Sequence, residues 1–484
     1  MKKLSLFPSL LIVCVLAAGC AQIPEDRDAL PQRDAASAQL AGDIKLAREG
    51  WPAAQWWTRF DDPQLNALMQ RALQDGPSLQ VAAARIASAR AALQLDGANN
   101  GNDIAFKGAA NRQRYSSNGL FPAPIGGAYF SDFNAQLVAT HEFDWWGKRR
   151  AQFAASLSEV SARRAEYAQA EQTLAAAVAQ SYFNLHAGWA RLDNLQQMRA
   201  AQSALVVERQ KLIVNGLATS DEQRKAEGDL NALKRETVVI ETQIAREREA
   251  LRALVGADGK ELADIAPRPV SVENAALPAT LGIELLARRP DLQAARARVE
   301  AALSRIEVSK AAFYPDVSLT GAVGLDSLSL DKLMQYTSRT PFIGATLTLP
   351  LFNSATLQAQ LGIVRDQRNE LIADYNQSVI NAIRDVAQAG AGLQGVEREQ
   401  AEQAIATRLS QDNLRSTQAR FEHGLTDTST LRNAQLAVFE QHDQGLQLKA
   451  RALLGEISLI KALGGGYRAG PTDVAQPMPP STDP

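Results

Sequence analysis

Cysteine and histidine, the side chains most often used for nucleophilic and metal chemistry, are scarce in this chain. The 484 residues contain two cysteines, at positions 14 and 20, and four histidines, at positions 141, 186, 423 and 442. The histidines have no partners at the spacing of a zinc site or a catalytic triad. No phosphate-binding glycine loop or zinc-protease helix is present either. We therefore expect no enzyme, no metal site and no cofactor.

Cys20 ends a segment with the features of a leader peptide. A basic start, Met1-Lys2-Lys3, precedes a short apolar run that closes on Leu16-Ala17-Ala18-Gly19-Cys20. This order is typical of a secretory signal peptide, and about fifteen apolar residues are too few for a membrane-spanning helix. The closing motif resembles a bacterial lipobox, with Ala17 at a position where leucine is commoner.

The lipobox resemblance implies a signal peptide over residues 1–19 and lipid attachment, including palmitate, at Cys20. Cys14 is then removed, so the mature chain keeps no free thiol. Ala21, rather than aspartate, follows Cys20, and this favours sorting to the outer membrane. The alternative is an ordinary signal cut near Gly19, with Cys20 incidental.

Composition indicates long helices and excludes a generic nucleic-acid binder. The 51 basic and 53 acidic side chains give a formal charge of -2, without the excess of positive charge typical of such proteins. Alanine, glutamine, leucine and arginine are abundant, and all four are good helix formers. We expect no nucleic-acid partner.

Two pairs of similar segments indicate an internal duplication. Pro290 follows Pro77 by 213 residues, and each opens the same pattern of leucine, glutamine, alanine and arginine. Gly424 follows Gly216 by 208 residues, and a leucine follows each glycine. Two matches in the same order at nearly one offset predict that a unit of about 210 residues occurs twice.

Each half contains a segment that predicts a very long helix. Residues 146–215 contain no proline, and apolar side chains recur at spacings of three, four or seven. This is the stripe of a coiled coil. About 70 residues at 1.5 Å each correspond to roughly 105 Å. Gly216 and Gly424 are placed for the left-handed turn that ends such a helix.

Between the helices lie four segments with the period-two alternation of β-strands. They cover residues 104–115, 134–143, 316–325 and 343–350, and the loops 116–128 and 327–341 would close two hairpins. Three of them have 10–12 residues, a length that suits tilted membrane strands, and the last is shorter. The alternative is two hairpins of a small soluble sheet.

Four membrane strands cannot close a barrel by themselves. Open sheet edges do not occur in lipid, because unpaired backbone groups find no water there. Several copies must therefore combine, and three copies with cyclic symmetry would supply twelve strands.

Several phrases, together with the lipobox and the repeats, resemble the outer-membrane factors of tripartite efflux systems, the TolC- and OprM-like or NodT-type channels. The resemblance covers roughly residues 50–463. The phrases are Trp56-Trp57 before Asp62-Pro63-Gln64-Leu65, then Glu142-Phe143-Asp144-Trp145-Trp146-Gly147-Lys148, and Arg288-Arg289-Pro290-Asp291-Leu292.

The resemblance implies an α+β fold that works as a homotrimer. A twelve-stranded transmembrane β-barrel would sit in the outer membrane, and a helical coiled-coil barrel would extend into the periplasm. The channel would be a passive conduit for drugs or other toxic compounds. Its partners would be outer-membrane lipid, a periplasmic adaptor (membrane fusion protein) and an inner-membrane transporter of the RND or MFS type.

The resemblance also implies roles for the two helix-hairpin tips. Adaptor contacts are expected at Gly216, Leu217, Gly424, Leu425 and Thr426. Candidates for residues that close the pore are Asp221, Arg224, Asp427, Arg432 and Asn433. Thr430 and Asn433 occupy positions where the family often carries carboxylates, so an acidic ring is not supported there. An ordinary solvated helix face is the alternative for the charged candidates.

Two other functions stay open at this point, a duct for protein secretion and a periplasmic coiled-coil adaptor lipoprotein. The paired period-two hairpins disfavour the adaptor, which needs no membrane strands. The expected organisation is as follows: signal peptide 1–19, lipidated N-terminal segment 20–62, repeat 1 over 63–275, repeat 2 over 276–463, and a disordered tail 464–484.

Overall fold

A computed structural model of the protein describes residues 23–34, 50–258, 262, 264–268, 285, 287–350 and 353–468. The signal peptide and Cys20 lie outside these residues. The main helices are α1 (Pro63–Asp75), α2 (Pro77–Ala98), α3 (Lys148–Val214), α4 (Ser220–Val255), α5 (Pro290–Ala311), α6 (Ser354–Glu422) and α7 (Thr428–Ala462). The strands are β1 (Asn102–Arg114), β2 (Tyr129–Glu142), β3 (Asp316–Ser327) and β4 (Phe342–Thr348).

The elements confirm the α+β class and the duplication. α2 and α5 each have 22 residues and begin at the two prolines that the repeat aligns. The long helices α3 and α6 have 67 and 69 residues, and the helices that follow them, α4 and α7, have 36 and 35. The order of helix, strand pair, long helix and shorter helix therefore occurs twice.

Packing divides the chain into two compact units. The first unit falls within residues 1–31, 88–160 and 296–374, and the second within residues 32–87, 161–295 and 375–484.

The first unit contains one antiparallel sheet with the strand order β1-β2-β3-β4. β1 pairs with β2 along its whole length, from Asn102 opposite His141 to Arg114 opposite Tyr129. β2 pairs with β3, and β3 pairs with the shorter β4. Within the described chain, the outer edges of β1 and β4 carry no further strand, so both edges of the sheet are open.

The two faces of this sheet differ in polarity. Cross-strand partners share a face, and, except for Phe342, the large exposed apolar side chains of the strands fall on one of the two. These are Ile104, Phe106, Leu137, Leu319, Val323, Ile343 and Leu347. The opposite face carries Lys107, Asp132, Asn134, Gln136, Thr140, Glu142, Thr320, Asp326 and Thr346. One face is therefore suited to lipid and the other to water.

The second unit is built around a helical core. Its largest fully buried side chains include Tyr182 and Phe183 of α3, with Leu65 and Met69 of α1. The Tyr182 hydroxyl donates to Asp62 Oδ2 at 2.6 Å, and the other Asp62 carboxylate oxygen accepts from Gln64 N at 2.9 Å. Asp62 thus caps α1 and ties it to α3.

No helix among the described residues is both long enough and apolar enough to span a membrane.

Arg289, in the second unit, accounts for the Arg-Pro-Asp phrase. Its buried guanidinium donates from Nε and Nη2 to the two carboxylate oxygens of Asp291, at 3.0 and 2.6 Å. Nη1 donates to Ala462 O at the end of α7, 3.1 Å away, and Asp385 of α6 lies 3.5 Å from Nη2. One side chain therefore joins the start of α5 to α6 and α7.

The structure corrects the start of the expected tail. Gly464, Gly465 and Gly466 are buried and form a turn directly after α7, and all three have positive φ angles. The described chain continues to Arg468, and the rest of the expected tail lies outside the described residues. The predicted hairpin loop 327–341 contains a helical turn at Leu330–Leu333 and a 3-10 turn at Tyr336–Ser338.

The buried hydrogen bonds of the Arg289 guanidinium predict that replacing this side chain lowers the stability of the fold. Arg289→Met keeps much of the side-chain volume but leaves Asp291 and Ala462 O without their cation, while Asp385 keeps its ion pair with Arg384. We expect a loss of about 2–3 kcal/mol in the free energy of unfolding. Loss of helical circular dichroism in urea measures it. The control, Arg296→Met, removes an exposed partner of Glu300 on the same helix and should change stability by less than about 0.5 kcal/mol. Equal effects of the two variants would contradict this role.

Candidate functional site

The first helix-hairpin tip, in the second unit, is a Schellman turn built on Gly216. α3 ends at Val214, and Gly216 has a φ of 72°. Gly216 N donates to Ile213 O at 2.9 Å, and Leu217 N donates to Leu212 O at 2.8 Å. A Cβ at Gly216 would meet no atom within 4 Å, so the left-handed backbone alone selects glycine.

The second tip, in the same unit, repeats this turn. Gly424 has a φ of 70°, its N donates to Phe421 O at 2.9 Å, and Leu425 N donates to Arg420 O at 2.8 Å. A capping residue follows three positions after each glycine. Thr219 forms a capping box with Glu222, and the Asp427 carboxylate accepts from Thr430 N at 2.7 Å. The glycines thus end α3 and α6, and the caps start α4 and α7.

The tips present apolar side chains that do not pack on their own helices. Leu217 is 74% exposed and Leu425 is 68% exposed. Thr426 is partly buried. The residue after the glycine often makes an apolar contact with the last turn of the helix in a Schellman motif, but most of the surface of each leucine here remains exposed. We name these two exposed side chains, Leu217 and Leu425, the tip leucines.

The structure gives each charged gate candidate a local partner. Asp221 and Arg224 form an exposed ion pair within the first turn of α4. Asp427 is the N-cap of α7, while Arg432 donates from Nη1 to Gln435 Oε1 at 2.9 Å. Asp427 and Arg432 form no ion pair with each other.

Arg209 of α3 adds charge between the two tips. Its guanidinium lies 3.5 Å from Glu222, and it also attracts Asp427 electrostatically. The Asp427 carboxyl has a pKa below its usual range, first because it accepts hydrogen bonds from Thr430 and further because Arg209 is near. Sequence reasoning missed Arg209, because nothing in the pattern shows which α3 side chain faces the second tip.

A groove of about 570 Å³ lies beside the tips. Asn433, the remaining gate candidate, lines it with Leu436 of α7, and Arg209, Lys225 and Asp229 lie on the opposite helices. The groove is therefore polar and of mixed charge near the tips.

The first unit contains a cluster of aromatic side chains near the end of β2 and the start of α3. We name this cluster, which consists of Phe143, Trp145, Trp146 and Tyr314, the aromatic platform. Trp146 stacks on Tyr314 with ring centroids 4.4 Å apart, and its Nε1 donates to Pro315 O at 2.9 Å. Phe143 stacks on Trp145 at 5.2 Å. Such amphipathic rings at strand ends are typical of a membrane–water interface. In the sequence, the adjacent residues Trp145 and Trp146 are the feature that could have indicated this platform.

Asp144 explains why a helix starts directly after this platform. Its two carboxylate oxygens accept from Arg149 N and Arg150 N, each at 3.1 Å. These amides lie in the first turn of α3, where they lack partners within the helix. The phrase from Glu142 to Lys148 therefore contains, in this order, the end of β2, the aromatic side chains of the platform and the start of α3.

Three of the histidines lie in different parts of the structure, each with its own hydrogen-bond partner. His141 contacts Asn102 at 2.7 Å, and His442 contacts Asn194 at 3.0 Å. His186 is buried against the backbone of Arg268, and its burial lowers its pKa. Among the described residues, no group of three or more histidine, cysteine or acidic side chains is arranged to hold a metal ion.

Comparison with known proteins agrees with these features. The family described as "Outer membrane efflux protein" matches residues 68–257 and 281–465, one segment in each half of the chain. The multidrug resistance outer membrane protein MdtP of Escherichia coli K12 is 38% identical over 474 residues, which cover 96% of each chain.

Solved structures show the same fold. The outer membrane protein VceC of Vibrio cholerae has a TM-score of 0.78 at 28% identity, covering 86% of this chain and all of that one. The Campylobacter jejuni outer membrane channel CmeC has a TM-score of 0.81 at 20% identity, covering 92% of this chain and 94% of that one. The chain therefore belongs to the outer membrane efflux protein family and is an outer-membrane efflux channel protein.

Proposed function

We propose that three copies of the chain close a twelve-stranded barrel in the outer membrane. The observation that carries this proposal is the four-stranded sheet, with one apolar face, one polar face and two open edges. In lipid the edge groups of β1 and β4 must be paired, and pairing β4 of one copy with β1 of the next satisfies both. The direction of the strands makes this pairing antiparallel, as in the rest of the sheet.

The proposed channel is a passive conduit without catalytic activity. The polar face of the sheet would line the pore, as is usual for barrels of this size. The work would be done by an inner-membrane transporter, of the RND or MFS type, joined through a periplasmic adaptor. The relatives named for multidrug resistance support drugs or other small toxic compounds as the cargo, and no feature of the described residues favours protein secretion.

Outer-membrane fractions test this assembly. We expect a heat-modifiable trimer, and a deletion strain that becomes more susceptible to several drugs while its secreted proteins are unchanged. A soluble monomer after removal of the lipid would contradict the trimer. Lost protein secretion with unchanged drug susceptibility would contradict the efflux role.

We propose further that Cys20 carries the lipid anchor. The support for this is the segment of residues 23–30, named here the strap, which is bonded to α6. Arg365 of α6 donates to Pro24 O at 2.7 Å, Arg368 pairs with Asp26, and Asn369 donates to Asp28 O at 2.9 Å. The hydrogen bond from Arg368 holds the pKa of Asp26 below its usual range. The strap is therefore fastened to α6 by charge-assisted hydrogen bonds.

The start of the strap lies near the aromatic platform. Ile23 packs against the cluster of Ile306, Phe313 and Leu361, and Tyr314 of the platform directly follows Phe313. Three residues of chain reach at most about 10 Å, so acyl groups on Cys20 would start close to the proposed membrane interface.

Substitution of the two cysteines tests the anchor. Cys20→Ser should abolish incorporation of labelled palmitate, because the acylated atom is gone, while the trimer still forms through its strands. Cys14→Ser is the matched control and should label as the wild type does, since that residue leaves with the signal. Wild-type protein without label would show an ordinary signal cut instead.

We propose that the tip leucines contact the adaptor. Leu217→Gln with Leu425→Gln should weaken adaptor binding roughly tenfold or more, because two exposed apolar contacts are lost. The measurement is drug susceptibility of a deletion strain that expresses the variant, with trimer content checked in parallel. Leu120→Gln, at an exposed leucine in the loop between β1 and β2, should restore resistance fully. Full resistance with the double variant would refute the contact.

The gate candidates, finally, are proposed to restrict the pore at the tips. Asp427→Asn keeps the cap of α7 while removing its charge, so it can be combined with Arg432→Ala without unravelling the helix. We expect the single-channel conductance in planar bilayers to rise at least about twofold, because the local field at a constriction changes. Asp412→Asn with Arg415→Ala likewise removes one acidic and one basic charge, those of an exposed ion pair on α6, and should leave conductance unchanged. Unchanged conductance in the Asp427 and Arg432 variant would remove both residues from the gate.

A further inference from the structure

Two arginines stand on the apolar face of the sheet, at the end of β1 opposite to the aromatic platform. Side chains two positions apart along a strand share a face, so Arg112 and Arg114 lie on the same face as Ile104 and Phe106. Phe106 is 72% exposed. A face that is otherwise suited to lipid therefore ends in two positive charges.

Each arginine is held in a defined position. The Arg112 guanidinium lies 5.8 Å from the centre of the Tyr129 ring on β2. Arg114, opposite Tyr129 in the strand pairing, donates from Nε to Gly127 O at 3.2 Å. These contacts orient both guanidinium groups without neutralising them.

The same arrangement occurs at the other edge of the sheet. Arg339 pairs with Leu325 of β3 and therefore shares its apolar face. Its guanidinium lies 4.2 Å from the centre of the Tyr336 ring. An arginine placed on a tyrosine thus marks the outer end of the apolar face at both edges.

The arginines have no acidic partner in the part of the chain that the structure describes. No ion pair there involves Arg112, Arg114 or Arg339, and all three are exposed. The nearby acidic side chains Asp132 and Asp326 alternate onto the opposite, polar face. The acidic side chains of the strands therefore all lie on the face opposite to the arginines.

The distance to the aromatic platform fits the thickness of a membrane. From Asn102 to Arg114 the strand rises twelve residues, or roughly 40 Å. With the usual tilt of about 40°, this corresponds to about 30 Å across the membrane. The platform and the arginines therefore stand at the two opposite interfaces of the apolar band.

We propose that Arg112 and Arg114, with Tyr129, bind the phosphate groups of anionic lipid headgroups in the outer leaflet, and that Arg339 with Tyr336 forms a second, similar site. This inference rests on the proposed barrel, which places the apolar face in lipid. Guanidinium groups suit this ligand, because their planar fork bonds two phosphate oxygens at once. The acyl chains of the same lipid would continue over Phe106 and Leu137.

Binding of lipid A to the purified trimer tests the site. The trimer is placed in neutral phosphatidylcholine nanodiscs, and diphosphorylated lipid A is titrated with detection by native mass spectrometry. We expect Arg112→Gln with Arg114→Gln to weaken binding about tenfold or more. Lys107→Gln removes a charge from the polar face of the same strand and should change binding less than about twofold. Dephosphorylated lipid A should bind the wild type weakly, and inorganic phosphate should not compete.

The outcomes separate this inference from the proposed assembly. Heat-modifiable trimers and normal single-channel conductance in the double variant, together with weakened lipid binding, support the site. Equal weakening by Lys107→Gln, unchanged binding in the double variant, or full competition by inorganic phosphate overturns it. Failure of the wild-type chain to form trimers contradicts the proposed function instead.

Discussion

Unpaired backbone at the two edges of the sheet is the constraint on which the rest of the account depends. β1 and β4 each offer one row of amide and carbonyl groups that the described chain does not satisfy. Water could solvate these groups in a soluble protein, but the apolar face of the same sheet is suited to lipid, where no water is available. A single chain cannot meet both conditions, and a ring of identical chains can. The need for several copies thus comes from the unpaired backbone groups at the sheet edges more than from the burial of apolar surface.

The internal duplication organises the other parts of the molecule. Both long helices end in the same glycine–leucine turn, and a capping side chain starts the following helix after the same number of residues. Backbone geometry explains the glycines and the caps completely. It does not explain the exposed leucines, and this is why they are the part of each tip that we assign to a partner. The Asp427 carboxylate shows the opposite case, since a residue that resembled a gate group already has a structural role as a cap.

Much of the fold could be predicted from the sequence because it depends on local rules. Pro77 and Pro290 marked helix starts, Gly216 and Gly424 marked helix ends, and the period-two segments were found within a few residues of the observed strands. These signals act over one or two turns of chain. The family phrases were recognised as patterns, and the structure supplies their physical content in Asp62, Asp144 and Arg289.

What the sequence could not show depends on contacts between distant segments. The proximity of Arg209 to the second tip, the stacking of Trp146 on Tyr314 and the fastening of residues 23–30 to α6 all join parts of the chain that are far apart. The lipid-facing arginines were missed for a related reason. Arg112 and Arg114 lie in the first period-two segment, residues 104–115, and their face became clear only when the register with β2 was known.

The pairing of β4 of one copy with β1 of the next can be tested directly by cross-linking. Cysteines would replace Thr346 on the polar face of β4 and, one at a time, Asp103, Ala105, Lys107 and Ala109 on the same face of β1, in a Cys14→Ser background. Within one chain β1 and β4 are separated by about three strand spacings, or about 14 Å, which is too far for a disulfide. The account predicts that at least one pair oxidises to covalent dimers and trimers in outer membranes. Linkage confined to single chains, or no linkage at any of the four positions, would contradict it.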